Sequence, residues 1–141
     1  MSTSTDAWEA LHRAQISGLR ELRPGFQLEA VTFGEYDVLH VLSTVGEEGM
    51  RLKRLNEYVA LTQSSLSRML DRLEARRFVL KWQDPEDARG LLLRLTDQGR
   101  ELHATIGAAH DTRAAAFMDA ALTPDEIDTL TRLATKLHTQ S

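Results

Sequence analysis

Residues 62–99, TQSSLSRMLDRLEARRFVLKWQDPEDARGLLLRLTDQG, decide which fold this chain is predicted to adopt. Apolar residues recur there at positions i, i+3, i+4 and i+7, the spacing that aligns side chains along one side of an α-helix. They are Leu66, Met69, Leu70 and Leu73. Thr62 is a favoured N-cap residue, so the helix is predicted to begin directly after it.

The face opposite this stripe carries small hydroxyl groups and arginines, and it has no large apolar residue. A helix that enters the major groove of DNA needs small groups near the base edges and guanidinium groups that reach guanine or phosphate. We therefore predict that Arg68 reads a base, with a phosphate contact as its alternative role. The predicted DNA contacts of the whole helix are Gln63, Ser64, Ser65, Ser67, Arg68 and Arg72.

Two short β-prone runs, residues 79–83 and 91–95, flank a charged connector at residues 84–90. Because the connector contains Pro, Asp and Gly, the two runs are predicted to form a β-hairpin. Arg89 is expected at the tip of the hairpin, where it would enter a minor groove beside the helix. Asp87 is expected to orient Arg89 or a neighbouring arginine through a charge-assisted hydrogen bond. A helix followed by a basic hairpin indicates a winged helix-turn-helix.

Residues 51–59 are predicted to form the first helix of the helix-turn-helix, and positive charge is concentrated at their start. Arg51, Lys53 and Arg54 would lie at the positive end of the helix dipole, which is unfavourable unless an anion lies nearby. A DNA phosphate would offset this cost, so Lys53 is predicted to contact the DNA backbone. The alternative is that these residues are ordinary solvated side chains.

Several spaced residues resemble one known family. The pattern Asp87-x-Arg89, followed by Leu95-Thr96-x-x-Gly99, resembles the wing and following helix of MarR-type transcriptional regulators. The run SLSRMLDRLEARRFV, residues 65–79, resembles the recognition helix of that family. The resemblance implies a repressor that binds a pseudo-palindromic operator as a homodimer, with its recognition helices about one DNA turn apart.

The same resemblance implies a regulatory pocket for a small aromatic or phenolic effector, between the helical dimer region and the winged domain. By their placement on the first two predicted helices, the residues expected to line it are His12, Ile16, Phe33, Tyr36 and His40. The alternative is that these residues belong to the core. The chain would then bind DNA without sensing a ligand.

One residue departs from the family pattern. Relatives usually place Gly at the end of the recognition helix, where this chain has Arg77. A residue other than Gly in the left-handed conformation costs about 1 kcal/mol. We therefore expect the recognition helix to end in a different way, which leaves the angle of the wing open.

The chain on either side of this region is predicted to be helical, with residues 1–5 frayed before a first helix at residues 6–22. Capping boxes begin two further helices, at Thr32 with Glu35 and at Thr123 with Glu126. The winged region is too small to cover the apolar stripes of the first and last helices. A second copy of the chain is predicted to cover them; the alternative is that they pack within one chain.

The predicted fold class is mainly α with a small β-hairpin wing (α+β). It is a winged helix-turn-helix flanked by N- and C-terminal dimerisation helices. Residues 1–29 are predicted as the N-terminal dimerisation helix, residues 30–96 as the winged helix-turn-helix DNA-binding region and residues 97–141 as the C-terminal dimerisation helices. Together they are expected to form one compact domain.

The charge distribution agrees with a nucleic-acid partner, although the net charge of the 141 residues is −4. Residues 51–100 hold 11 Lys and Arg against 7 Asp and Glu, so the predicted winged region is locally basic. Phosphate contacts depend on the local patch rather than on the total charge. The predicted partners are double-stranded DNA, a second copy of the chain and a small-molecule effector.

Several classes of function lack the residues they need. The sequence contains no cysteine, which excludes a disulfide framework and a thiol sensor. Half of a metal site could be formed by His103 and His110 with Asp111 or Glu101, but further ligands are lacking. Phosphate-binding Gly-rich loops and nucleophile elbows are absent. We predict no enzyme activity, no catalytic residue, no metal and no cofactor.

The remaining expectations concern location and rival functions. No long apolar run and no signal-peptide segment are found, so we expect a cytoplasmic protein without a membrane partner.

One rival function is that of a winged domain that binds another protein, although its serine and arginine face lacks the aromatic anchors that protein interfaces favour. The other rival is an architectural DNA binder that senses no ligand.

Overall fold

The structure, a computed structural model, describes residues 1–140 of the chain. In chain order its elements are α1 (Ser4–Leu22), a 3₁₀ turn (Arg23–Phe26), α2 (Phe33–Leu42), β1 (Met50–Arg51), α3 (Leu52–Tyr58), α4 (Gln63–Ala75), β2 (Val79–Asp84), β3 (Asp87–Leu95), α5 (Asp97–Asp119) and α6 (Pro124–His138). This confirms the predicted mainly α fold with a small winged helix-turn-helix. Within residues 1–140, no helix combines the length and the apolar character that crossing a bilayer requires.

The wing is a three-stranded antiparallel sheet in the order β1-β3-β2. β3 lies in the middle, with Met50 of β1 opposite Leu93 and Val79 of β2 opposite Leu95. The sequence predicted only the hairpin formed by β2 and β3. β1 has two residues, which is too short to show the alternation that predicts a strand.

The turn of the wing differs from the prediction. β2 extends to Asp84 and β3 begins at Asp87, so Pro85 and Glu86 form the tip. The Asp84 Oδ1 atom accepts a hydrogen bond from the Glu86 backbone N–H at 2.9 Å, which stabilises this tight turn. The placement of Arg89 at the tip was therefore wrong, because Arg89 lies within β3, three positions beyond Glu86.

The core of the winged region is built from the predicted stripe of α4 together with residues of α2, α3 and the sheet. All four stripe residues are buried, with exposed fractions of 8% for Met69 and 1% or less for Leu66, Leu70 and Leu73. Buried residues that pack with them include Val38, Leu39, Leu42, Leu55, Val79, Leu93 and Leu95. This burial turns the opposite, polar face of α4 outward.

The chain divides into two compact units, one formed by residues 26–108 and one by residues 1–25 with 109–141. The first, the winged unit, contains α2, α3, α4 and the sheet. The second, the helical unit, contains α1, α6 and the end of α5. The three predicted segments, residues 1–29, 30–96 and 97–141, stay a prediction.

Helix starts follow the capping signals in the sequence. Thr32 and Glu35 form the predicted capping box at α2, and Thr123 and Glu126 form the one at α6. The prediction that residues 1–5 are frayed was wrong for Thr3, Ser4 and Thr5, because α1 begins at Ser4 with Thr3 as its N-cap. The Asp6 carboxylate accepts the Thr3 backbone N–H at 2.8 Å, and hydrogen bonds with Thr3 lower the pKa of Asp6.

The end of α4 also differs from the prediction, because Arg77 adopts the left-handed conformation with φ 66°. Two backbone hydrogen bonds close the helix: Phe78 N–H donates to the Leu73 carbonyl at 3.0 Å and Arg77 N–H donates to the Glu74 carbonyl at 2.9 Å. This pair of bonds is the Schellman motif, which satisfies carbonyls left over at a helix end. The hydrogen bonds therefore hold Arg77 in a conformation that Gly adopts without strain.

Replacing Arg77 with Gly is expected to raise the free energy of unfolding by about 1 kcal/mol, because it removes the cost of a side chain at positive φ. Ala75→Gly is the matched control. Ala75 is an exposed residue in the last turn of α4, where Gly is expected to cost up to about 1 kcal/mol. Urea unfolding of both variants would measure the two changes. A loss of stability in Arg77→Gly would contradict the assigned strain.

Candidate nucleic-acid interface

The outer face of α4 presents the polar side chains that the sequence assigned to DNA. Gln63, Ser64, Arg68 and Arg72 are exposed, while Ser65 and Ser67 are half-buried at the edges of the face. Thr62 caps the helix by accepting the Ser65 backbone N–H at 3.2 Å. The Arg68 guanidinium donates to the Ser65 hydroxyl at 3.3 Å, which holds it against its own helix. A rigid convex helix with this polar face has the form that a major groove accommodates.

The one carboxylate in the middle of this face, Asp71, is neutralised by the wing. Lys81 of β2 forms an ion pair with Asp71 and a second with Glu74, whose oxygen lies 3.6 Å from the Lys81 ammonium. The hydrogen bond from Lys81 to Asp71, more than the nearby charge of Glu74, raises the pKa of Lys81. Lys81 therefore stays charged at neutral pH, offsets acidic charge near the recognition face and ties the wing to α4.

Arg51, directly before α3, holds the two ends of the wing turn. Its guanidinium forms ion pairs with Asp84 at 2.5 Å and with Asp87 at 3.5 Å. Since the Asp84 side chain is only 10% exposed, it requires a charged partner to offset its burial. Arg51 thus has carboxylates beside it, which offset the positive charge that the sequence places at the start of α3.

Asp87 contacts two arginines of the sheet, Arg51 of β1 and Arg89 of β3. Its Oδ2 atom lies 3.5 Å from the Arg51 guanidinium, and its Oδ1 atom accepts the Arg89 backbone N–H at 3.0 Å. These contacts fix the main chain at Arg89, while the Arg89 side chain stays exposed. An exposed guanidinium on a fixed strand can enter a narrow minor groove with little loss of main-chain freedom.

A groove of about 470 Å³ lies between α3, the start of α4 and β3, and we call it the wing groove. It brings together four of the predicted DNA residues: Lys53, Gln63, Asp87 and Arg89. The remaining five, Ser64, Ser65, Ser67, Arg68 and Arg72, lie along α4 outside it. Its other lining residues are Arg51, Leu52, Asn56, Gly90 and Leu91.

Sequence reasoning missed Asn56, Arg51 as the partner of Asp84, and Lys81. The roles of Arg51 and Lys81 depend on contacts between residues 33 and 10 positions apart along the chain. No local pattern encodes such contacts. Asn56 lies on the predicted helix, but its partial burial beside the wing depends on how the sheet packs.

The predicted effector residues of the winged unit form part of an aromatic cluster. Tyr36 is 4% exposed and stacks against His103 with ring centroids 5.5 Å apart. Phe33 packs edge-on against Phe26 at 5.5 Å. His40 is exposed, and its Nδ1 atom lies 3.0 Å from the His103 Nε2 atom, a hydrogen-bond distance. Phe33 and Tyr36 therefore pack with the core, which agrees with the alternative that they are core residues. This packing does not test whether either residue binds a ligand.

The other two predicted effector residues, His12 and Ile16, lie on α1 in the helical unit. Both are exposed, and His12 stacks against Trp8 with ring centroids 6.1 Å apart. Their role in binding an effector stays a prediction. Among residues 1–140, no group of three His, Asp or Glu side chains is placed to hold a metal ion.

Comparison with known proteins identifies relatives of this chain. The sequence model of the MarR family matches residues 31–91, which span the helix-turn-helix and most of the wing. YkoM, an uncharacterized HTH-type transcriptional regulator of Bacillus subtilis, is 33% identical over 108 residues. The aligned region covers 75% of this chain and 68% of YkoM.

Solved structures share the fold over nearly the whole chain. The PcaV transcriptional regulator from Streptomyces coelicolor, solved with its natural ligand, has a TM-score of 0.69 at 27% identity, covering 96% of this chain and 92% of PcaV. The transcriptional repressor CouR, solved on a 23-mer DNA duplex, has a TM-score of 0.75 at 25% identity. That match covers 91% of this chain and 89% of CouR.

Proposed function

This chain belongs to the MarR family of DNA-binding transcriptional regulators, and we propose that it is a homodimeric repressor of a pseudo-palindromic operator. Members of this family are regulators of transcription and not enzymes. The observation that carries the proposal is the joint exposure of the α4 face and of Arg89 beside it. Together they offer one surface for a major groove and one for the adjacent minor groove.

The helical unit supports the dimer. Among its described residues, 1–25 and 109–140, none is buried, so one copy forms no core there. α6 exposes Leu130, Leu133 and Leu137 by 38%, 46% and 52%. Burying a Leu side chain contributes about 1.5–3 kcal/mol, and a second copy related by twofold symmetry would cover the stripes of both chains.

Binding to duplex DNA at increasing salt tests the proposal directly. The affinity of the purified chain for duplex DNA should fall steeply, on the order of a thousandfold, as monovalent salt rises from about 50 to about 200 mM. The reason is that each phosphate contact releases counterions from the DNA. A chain that binds no duplex even at the lowest salt would be a protein-interaction module instead, and the repressor proposal would be wrong.

Arg68→Ala is expected to weaken operator binding by about tenfold or more and to relax the preference at one base position, because a bidentate arginine–guanine contact contributes about 1–3 kcal/mol of discrimination. Arg72→Ala, one turn further along α4, is the matched comparison. Binding of each variant to operators mutated at single positions measures both effects. Equal weakening on all sequences would show that Arg68 contacts phosphate and reads no base.

The effector is the second part of the proposal. PcaV was solved with its natural ligand, and we propose that this chain also binds a ligand. From the resemblance to the family, we propose that the ligand is a small aromatic compound that releases the chain from DNA. Such a compound must bind more tightly to a dimer whose recognition helices are wrongly spaced for DNA. Titrating phenolic acids into the protein–DNA complex, with His40→Ala beside the wild type, tests this. If no compound lowers DNA affinity, the alternative of a regulator without a ligand is favoured.

A further inference from the structure

We propose that the side-chain amide of Asn56 binds a phosphate of the DNA backbone inside the wing groove. No sequence pattern singles out this residue of α3, and none of the predicted contacts includes it. The inference rests on the DNA-binding function proposed above and adds the path of one DNA strand across the protein.

The path follows from the two surfaces on either side of the groove. In a duplex, one sugar–phosphate strand separates each major groove from the neighbouring minor groove. If α4 occupies the major groove and Arg89 the minor groove, that strand must pass between them. The wing groove lies there, with Gln63, the first residue of α4, on one side and Arg89 of β3 on the other.

The chemistry of the groove suits a phosphate. Phosphate oxygens only accept hydrogen bonds, and the groove is lined by donors: the Lys53 ammonium, the Arg89 guanidinium and the amide groups of Asn56 and Gln63. Its one carboxylate, Asp87, accepts bonds from Arg51 and from the Arg89 backbone. Asp87 is therefore engaged by positive and donor groups of the wing itself.

The amide of Asn56 is the least satisfied group in this lining. Its Oδ1 atom is buried and has no hydrogen-bond partner among residues 1–140. A buried carbonyl without a donor lowers stability, and such a group in a native structure calls for an explanation. The Nδ2 amino group of the same amide is not among the buried side-chain atoms that lack a partner, and the side chain lines the wing groove. We assign this amino group, and not the buried oxygen, as a donor to phosphate.

The test compares Asn56→Ala with the wild type on two duplexes of about 30 base pairs, one selected by the wild-type protein and one of unrelated sequence. Loss of a charge-assisted hydrogen bond should lower affinity by about tenfold on both duplexes. Since the amide is neutral, the dependence of affinity on salt should not change. Lys53→Ala should instead reduce the slope of log K against log salt by about 0.9 for each phosphate that the lysine neutralises in the wild type.

Stability separates a DNA contact from a structural role. Asn56→Ala removes the unpartnered carbonyl, so its midpoint of thermal unfolding should equal or exceed that of the wild type. Asn56→Asp, which places a carboxylate at the same position, should bind DNA more weakly than Asn56→Ala. Gln98→Ala, which truncates an exposed amide on α5, is the control and should bind as the wild type does.

Three results would overturn the inference: unchanged affinity of Asn56→Ala, a loss confined to the selected duplex, or a loss matched by lower thermal stability. The second would make Asn56 a reader of bases, and the third a packing residue. The wild type is measured in parallel. If it binds neither duplex, the proposed DNA-binding function itself fails, whereas normal wild-type binding with an unaffected Asn56→Ala variant refutes only the role of Asn56.

Discussion

Replacing both Leu133 and Leu137 with Asp should convert the chain to a monomer and reduce its operator affinity at least about a hundredfold. Both leucines are about half exposed in the single chain, at 46% and 52%. In the proposed dimer they are buried, and a buried unpaired carboxylate is strongly unfavourable. A monomer also binds the operator more weakly because it does not link two half-site contacts in one molecule. Sedimentation and DNA-binding titrations of the same preparations would measure the two effects.

Thr135→Asp is the control for this double substitution. Thr135 lies on α6 between the two leucines, but about 200° around the helix from each of them, so the charge should stay in solvent. Circular dichroism of the double variant would report whether the winged unit keeps its structure. A variant that stays dimeric, or that binds operator as a monomer with unchanged affinity, would contradict the role given to the helical unit.

Arg89→Ala should weaken operator binding by about tenfold or more while the dimer and its stability stay unchanged. The expected loss is that of a guanidinium that makes charge-assisted contacts in a narrow groove. Stability should not change, because the Arg89 side chain is exposed and its backbone is held by Asp87. Asp87→Ala should produce a smaller loss of affinity, because it frees the main chain at Arg89 and removes one partner of Arg51.

The sequence of the minor groove provides a matched test for Arg89. Narrow A·T-rich minor grooves attract arginine more strongly than G·C-rich ones. Exchanging A·T for G·C base pairs where the wing contacts DNA should therefore weaken the wild type but leave Arg89→Ala nearly unaffected. Glu86→Ala changes the actual tip of the wing. If Glu86→Ala altered the preference for A·T base pairs and Arg89→Ala did not, the tip of the wing would contact the minor groove in place of Arg89.

The elements predicted well are those whose signals are local. The stripe from Leu66 to Leu73 has strict helical spacing and is buried as predicted. Capping boxes fixed the starts of α2 and α6 because side chain and backbone bond within three residues of each other. The same signal at Thr3 and Asp6 begins α1 at Ser4, two residues before the predicted start.

The elements predicted poorly depend on contacts between distant residues. β1 exists only because Met50 and Arg51 pair with β3. Arg77 takes a left-handed conformation within the Schellman hydrogen bonds. The distant Thr96 adds two further bonds, because its hydroxyl donates to the Arg77 carbonyl and its backbone N–H donates to the Phe78 carbonyl. In that place tertiary contacts outweigh a local cost of about 1 kcal/mol.

The candidate site divides in the same way. The outer face of α4 follows from its periodicity, so its serines and arginines were found from the sequence. The position of Arg89 was predicted wrongly, because the turn at Pro85 and Glu86 is shorter than the charged connector suggests. Asn56 was missed because a partly buried amide beside a wing becomes visible only when α3 and β3 are placed together.

Selection of bound sequences from random duplex DNA tests the central claim most directly, because it asks whether a paired molecule reads DNA through two recognition helices and two wings. A dimer with two recognition helices should enrich a pseudo-palindrome whose half-sites are about 10 base pairs apart from centre to centre. Binding should require two copies of the chain per site. If no sequence is enriched, or if a single unrepeated half-site is bound by one copy, the claim that a dimer reads DNA is wrong.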